Sequence, residues 1–250
     1  MEVHSHTHTE RKKLTHYLWE FLMLFLAVFC GFLAENLREH VIDQQREKQY
    51  ALTLYEDIKA DTSRIAEVIE ECKYATTRID TFRTMVQTQE INSLLTGIWY
   101  YYGRFGTRSF NIAFQDATLE QLKSSGGLRY FKKQAVVSVI AHYDQERRRL
   151  QSTLSLQNFT YNDIIKARNQ IFNAFYLDEI MSFDISPAKI DSFKHQSMPL
   201  LSNKKEDFIQ YANLCQLRSY NNRAMIEDLN ELLKNGENLL AVLKKEYHLK

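Results

Sequence analysis

The sequence predicts an all-α protein. An N-terminal transmembrane helix continues into a long helix that packs in a helical bundle outside the cytoplasm. Three observations predict this. Glycine and proline are scarce, 7 and 2 in 250 residues, against usual levels of about 7% and 5%. Strand-and-turn folds need both at tight connections, which disfavours a sandwich, barrel or Rossmann fold. An uncharged apolar run, FLMLFLAVFCGFLA, occupies residues 21 to 34. Beyond it, apolar side chains recur at helical spacing through long stretches without a breaker. Charged residues (25%) and aromatics (12%) are too ordinary for a disordered chain. With 32 Lys+Arg against 31 Asp+Glu the net charge is +1, so the whole-chain field that nucleic acid requires is absent.

The chain reads from its N-terminus as a cytoplasmic tail (1–13), a transmembrane helix (14–36), a stalk helix (37–50) and a helical bundle domain (51–250). From Leu14 to Ala34 there are 21 residues, LTHYLWEFLMLFLAVFCGFLA. At about 1.5 Å each they match the roughly 30 Å hydrocarbon layer. Arg11, Lys12 and Lys13 precede the run, and Tyr17 and Trp19 suit the headgroup level. Cleavage after Ala34 or Gly31 would place Phe32 or Phe29 at the third position back, unlike the small residues a signal peptidase needs. Phe29 before Cys30 likewise speaks against a lipoprotein signal. An uncleaved signal anchor is the leading reading and a buried soluble-core helix its rival. Lysine and arginine are denser on the N-terminal flank, which predicts a cytoplasmic N-terminus with the chain beyond about residue 36 outside. Glu20 is costly inside an apolar helix, by about 2.5 kcal/mol or more near the bilayer centre. It reads as an interfacial side chain or as a contact to a neighbouring helix, with a proton path the remotest option.

The stalk, REHVIDQQREKQ from residue 38, is polar nearly all round. Then Ala51, Tyr55, Ile58, Thr62, Ile65, Ile69, Cys72, Thr76, Ile79 and Val86 follow steps of four and three, with one beat missed near Arg83. This 3.5-residue repeat marks a face that packs against other helices, an intramolecular bundle in preference to a free coiled coil. The aromatic stretch 98–114 shows no regular period and reads as an irregular connection. Two roles remain open for it. It is either a plug for one end of the bundle or a partner interface carried by Trp99, Tyr100, Tyr101, Tyr102 and Phe105.

Thr118 with Gln121 forms a capping-box pattern, with Asp116 as a rival cap. A short helix should end near Ser124, and Ser125-Gly126-Gly127 should supply its C-terminal cap and turn. A longer helix is expected next, with Leu128, Phe131, Ala135, Val136, Val139, Ile140 and Tyr143 on its buried side. Arg147, Arg148 and Arg149 read as a solvated face. Pro187 and Pro199 bracket a loop with a short amphipathic piece. A final helix runs from near Asn203 to about residue 247, with Gly236 a point of kinking or interruption.

The chemistry that can be read is slight. HExxH, GxSxG, Walker, GxGxxG and helical ExxH patterns are all missing from the sequence. No catalytic residue, cofactor or metal site is therefore assigned. His4, His6 and His8 form an alternating set that would chelate a divalent metal only weakly. The three cysteines are far apart, leaving one Cys72–Cys215 bridge open in an oxidising compartment.

Two stretches carry a resemblance. THYLWEFLMLFLAVFCGFLAENLRE, with Glu20 near its start and Asn36 past its apolar end, resembles the anchor of uncharacterised single-pass inner-membrane proteins of Gram-negative bacteria. ATLEQLKSSGGLRYFKK is similar to a short motif of the same family, matched by Thr118, Leu122, Ser124, Ser125, Gly126, Leu128 and Arg129. The resemblance implies an inner-membrane location, a periplasmic bundle and no assigned reaction. It makes Glu20 and Asn36 candidate intramembrane contacts and Ser124, Ser125, Gly126, Leu128 and Arg129 a candidate motif turn. The expectation is a non-enzymatic envelope protein whose partners are membrane lipid and either a second copy or another envelope protein. The alternative is a ligand-sensing domain signalling through a membrane partner, since a tail of about 13 residues holds no output domain.

Overall fold

A computed structural model describes residues 14–157, 161–182 and 185–249. Among the described residues every regular element is helical. The chain divides into two units, residues 1–50 and 51–250. The first holds the N-terminal part of α1 (Leu14–Thr88). Every residue from 14 to 41 is exposed there, and Phe21, Phe25 and Phe29 stack along one face with centroids about 6 Å apart.

The second unit is built from three rods. Residues 51–88 of α1 form the first. α8 (Lys205–Tyr247) runs antiparallel to it, since Asp80 meets Ser219, Thr76 meets Asn222, and Thr62 faces Gly236. The third rod is α4 (Gln134–Gln157) followed by α5 (Tyr161–Ile171). It also runs antiparallel to α8, from Lys133 beside Glu246, through Arg149 beside Asp228, to Ile171 beside Leu201.

A rod with two neighbours must bury a wider stripe than a two-stranded seam does. Ile58, Ile65, Cys72, Ile79 and Val86 are buried as the 3.5-residue repeat requires, and so is a second line of Leu54, Asp61, Val68, Ala75 and Phe82. Phe82 supplies the beat missing near Arg83, whereas Tyr55 is only half-buried. The middle of the α1–α8 seam is polar and paired. Asn222 donates to the Thr76 hydroxyl at 3.2 Å, and the Ser219 hydroxyl donates to Asp80 at 2.8 Å. Sliding either helix by a turn would leave these buried groups without partners, at roughly 1–3 kcal/mol each.

The connections differ from the sequence expectation in five places. Residues 96–107 are not irregular: they form α2 (Thr96–Gly103) and a 3₁₀ turn (Arg104–Thr107). α3 (Ala117–Ser124) is preceded by Asp116, and the Thr118–Gln121 capping box does not form. Thr118 lies buried inside the helix, and the Asp116 carboxylate is bonded to Arg147. Leu128 and Phe131 precede the next helix, because a 3₁₀ turn (Gly127–Tyr130) intervenes before α4 starts at Gln134. α8 passes through Gly236 unbroken. Finally, Arg147 is 2% exposed, held by Asp116 and Asp144, while Arg148 and Arg149 are exposed as expected.

Two short helices, α6 (Ala174–Leu177) and α7 (Pro187–Lys194), complete the unit. Pro187 occupies the first turn of α7, where its missing N–H costs nothing, and the Ser186 hydroxyl caps the helix by accepting from Lys189 N–H. α2 packs on α7 so closely that Gly97 faces the backbone carbonyls of Phe193, Lys194 and Gln196.

Alanine at Gly97 should cost about 3 kcal/mol, since backbone oxygens cannot move aside. Gly236→Ala should cost about 1–2 kcal/mol, because a Cβ there would come within 2.6 Å of the Thr62 methyl. Gly31→Ala, with open space around it, should leave stability unchanged. Denaturant melts of the detergent-extracted chain measure all three.

Candidate functional site

The residues singled out in the anchor do not converge within this chain. Glu20 lies 3.0 Å from the His16 Nε2 one turn earlier, and both side chains stand about half-exposed. Asn36 is exposed sixteen positions further along α1. His4, His6 and His8 lie outside the described residues. Among the described residues no group of three His, Cys, Asp or Glu side chains gathers as metal ligands would.

The aromatic run is brought together, but inward. Trp99, Tyr100, Tyr101 and Phe105 are at most 3% exposed, and Tyr102 alone is half-buried. Trp99 packs edge-on against Phe82 and Phe208, and Tyr100 against Phe172, with centroids 5.0–6.1 Å apart. Each polar tip is satisfied. Trp99 N–H donates to the Ile91 carbonyl, and the Tyr100 hydroxyl donates to the Pro199 carbonyl and accepts from Asn173 N–H. Such burial withdraws these four side chains from any surface for a partner and makes the run the plug of one bundle end. It is the helical register of α2, invisible in the aromatic pattern, that turns Trp99 and Tyr100 into the core.

On the flank of this plug lies a second arrangement. The Tyr74 and Tyr101 hydroxyls are 3.0 Å apart and hydrogen-bonded. The Arg78 guanidinium lies 3.3 Å over the Tyr74 ring. Arg104 is 5.0 Å from the Tyr101 ring centre and 4.5 Å from that of Phe105, and the Lys194 ammonium is 4.2 Å from Tyr101 and 5.3 Å from Tyr102. Cations over aromatic faces are favourable, yet here the charges crowd one another. Among the described residues no carboxylate pairs with Arg78, Arg104 or Lys194. Arg104 is only 6% exposed, and its Nε and Nη1 find no hydrogen-bond partner. Burial lowers its pKa. Arg108 is pushed down to about 10, by burial first and by Arg104 second. The four cations were not singled out by the sequence, because they come from α1, the 3₁₀ turn, the segment after it and α7, at unrelated spacings.

The motif turn is a helix terminus. Ser125 donates to the Gln121 carbonyl through both its hydroxyl (2.6 Å) and its N–H (3.0 Å), and Gly126 follows at φ +66°, the conformation expected of a glycine there. The Ser124 hydroxyl also donates to Gln121, Leu128 is half-buried, and the Arg129 side chain is exposed beside Tyr130.

A buried polar node ties the first rod to the third and to the connection before α3. Asp61 is 2% exposed, accepting from the Gln115 N–H at 2.8 Å and from the Tyr143 hydroxyl at 3.1 Å. Burial raises its pKa above the ordinary 3.8, opposed by those hydrogen bonds and by the positive charge of Arg147. The two buried thiols do not pair: both are free, and burial pushes each up to about 12. Cys72 contacts the Asn222 carbonyl, seven residues from Cys215, about 10 Å along α8 and beyond disulfide reach. The bridge left open by the sequence is therefore out of register.

Comparison with protein-family models, curated proteins and solved structures finds no match to this chain.

Between pH 3.8 and its raised native pKa, folded Asp61 keeps a proton that the unfolded chain has released. The stability this gives is complete below the unfolded value and lost as pH rises through the native one. Asp61→Asn removes that titration. Its stability relative to the unsubstituted chain should therefore increase from pH 4 to pH 7 in urea melts at the two values.

Proposed function

We propose that the protein is a single-pass anchor of the bacterial inner membrane. It presents a periplasmic helical domain that binds a partner or a second copy and carries no catalytic activity. The observation that carries this reading is the bare apolar stretch of α1. An 18-residue window there has a mean hydropathy of 2.0 with none of it buried. Exposed to water, an apolar surface of that extent is strongly unfavourable; lipid covers it at no such cost. The Lys/Arg-rich flank at residues 11–13 keeps the N-terminus in the cytoplasm and sends the bundle outward. The contact with His16 lowers the cost of the Glu20 carboxyl near the membrane entry.

Ligand sensing is the second reading. It is favoured by the cations around Tyr74 and Tyr101, of which Arg104 is buried without an acceptor.

Alkaline phosphatase fused after Lys250 should be active, and a cytoplasm-only fluorescent reporter at the same place dark; the reverse result overturns the topology. Crosslinking in intact membranes before gentle detergent extraction should give a dimeric mass or a second envelope protein. A strictly monomeric, partnerless chain overturns the binding role.

A further inference from the structure

We infer that the cluster of Arg78, Arg104, Lys194, Tyr74 and Tyr101 is a binding site for a small oxyanion, a phosphate or carboxylate group. The inference rests on reading the periplasmic unit as a binding domain, and not on which side of the membrane it lies.

The argument starts from Arg104. A guanidinium is charged at any physiological pH and brings five N–H donors. Leaving such donors buried and unbonded is among the costliest defects a fold can hold. Arg104 is 94% buried, with Nε and Nη1 unbonded. The Tyr101 and Phe105 rings and the Tyr101 hydroxyl offset part of the charge but leave Nε and Nη1 without an acceptor. Lys194 and Arg78 add two further positive charges around the same tyrosine pair. Glu71, which acts on neighbouring Arg108, is already hydrogen-bonded to Arg64 at 3.2 Å.

An oxyanion answers each part of this arrangement. Its oxygens accept from the idle guanidinium N–H groups in charge-assisted bonds. In the Tyr74–Tyr101 pair one hydroxyl donates to the other, so one O–H remains to donate to a ligand. Lys194 and Tyr102 are half-exposed and lie next to Tyr101 on the solvent side, so the long Lys194 side chain swings aside to admit the ligand and closes over it as a third cation. Arg78, also half-exposed, balances the remaining charge.

The test uses the full chain in mild detergent. Its thermal unfolding midpoint is followed while inorganic phosphate or acetate is titrated against chloride at equal ionic strength. At a hundredfold excess over Kd the midpoint should rise by about 5 °C. A rise with phosphate alone identifies a phosphate site, and with acetate alone a carboxylate site. Arg104→Met should abolish the rise while keeping or increasing the midpoint in anion-free buffer, because it removes an unpaired buried charge. Lys194→Ala should weaken binding about tenfold and serves if Arg104→Met does not fold; Lys166→Met, on the exposed face of α5, should change nothing. No rise beyond chloride, or an equal rise in Arg104→Met and Lys194→Ala, overturns the site. Either outcome leaves the reporter and crosslinking results standing, so failure here is separable from failure of the anchored-binding role.

Discussion

The bundle depends on how closely three rods approach where Gly236 meets Thr62 and Tyr143. A side chain at position 236 has no room, since a Cβ there would lie 2.6 Å from the Thr62 methyl and 3.3 Å from the Tyr143 ring. One residue from Thr62, Asp61 takes the Tyr143 hydroxyl and the N–H of Gln115. The absence of a side chain thus sets the spacing of the rods, and the carboxylate beside it ties the third rod and the returning connection to α1. Arg147, buried one turn after Tyr143, extends the node to Asp116 at the start of α3. A charged node of this kind adds little net stability over an apolar one. Its effect is geometric, because a shifted register would leave buried charges unpaired.

The other end of the bundle is solved differently. There α1 and α5 finish, α8 begins, and the gap between them is filled by rings. Phe82, Trp99, Phe172, Phe208 and Tyr211 meet mostly edge to face, and each buried hydroxyl or indole N–H reaches a carbonyl. On the flank of this plug Arg104 is buried with Nε and Nη1 unbonded. At the node Arg147 is paired with Asp116 and Asp144, whereas at the other end cations gather among tyrosines without a paired carboxylate. An outside oxyanion, as proposed, would balance those cations.

Helical class, the turn after α3 and the existence of a packed face on α1 follow from local signals: few breakers, a capping glycine at 126 and a regular apolar repeat. What local signals leave out is the number of neighbours. A seam read as one line contains Tyr55, but a helix between two partners buries Leu54, Val68 and Phe82 instead. The same omission explains Arg147, polar by type and buried because Asp116 reaches it from the start of α3 and Asp144 from one turn earlier on its own helix. Gly236 reads as a helix breaker by propensity and proves to be a point of close packing. The cations at 78, 104, 108 and 194 share no spacing at all, so only the fold assembles them.

The contacts that hold α1 in place reach far along the chain. Asp80 is bonded to Ser219 and Thr76 to Asn222, partners more than a hundred residues apart. During synthesis the apolar stripe of residues 51–86 is therefore finished long before α8, which covers it, leaves the ribosome. Such non-local closure is slow and leaves hydrophobic surface open to misassociation in the meantime. The nascent chain must wait for its last helix, and a message cut short before Lys205 yields a chain with one wall of its core missing.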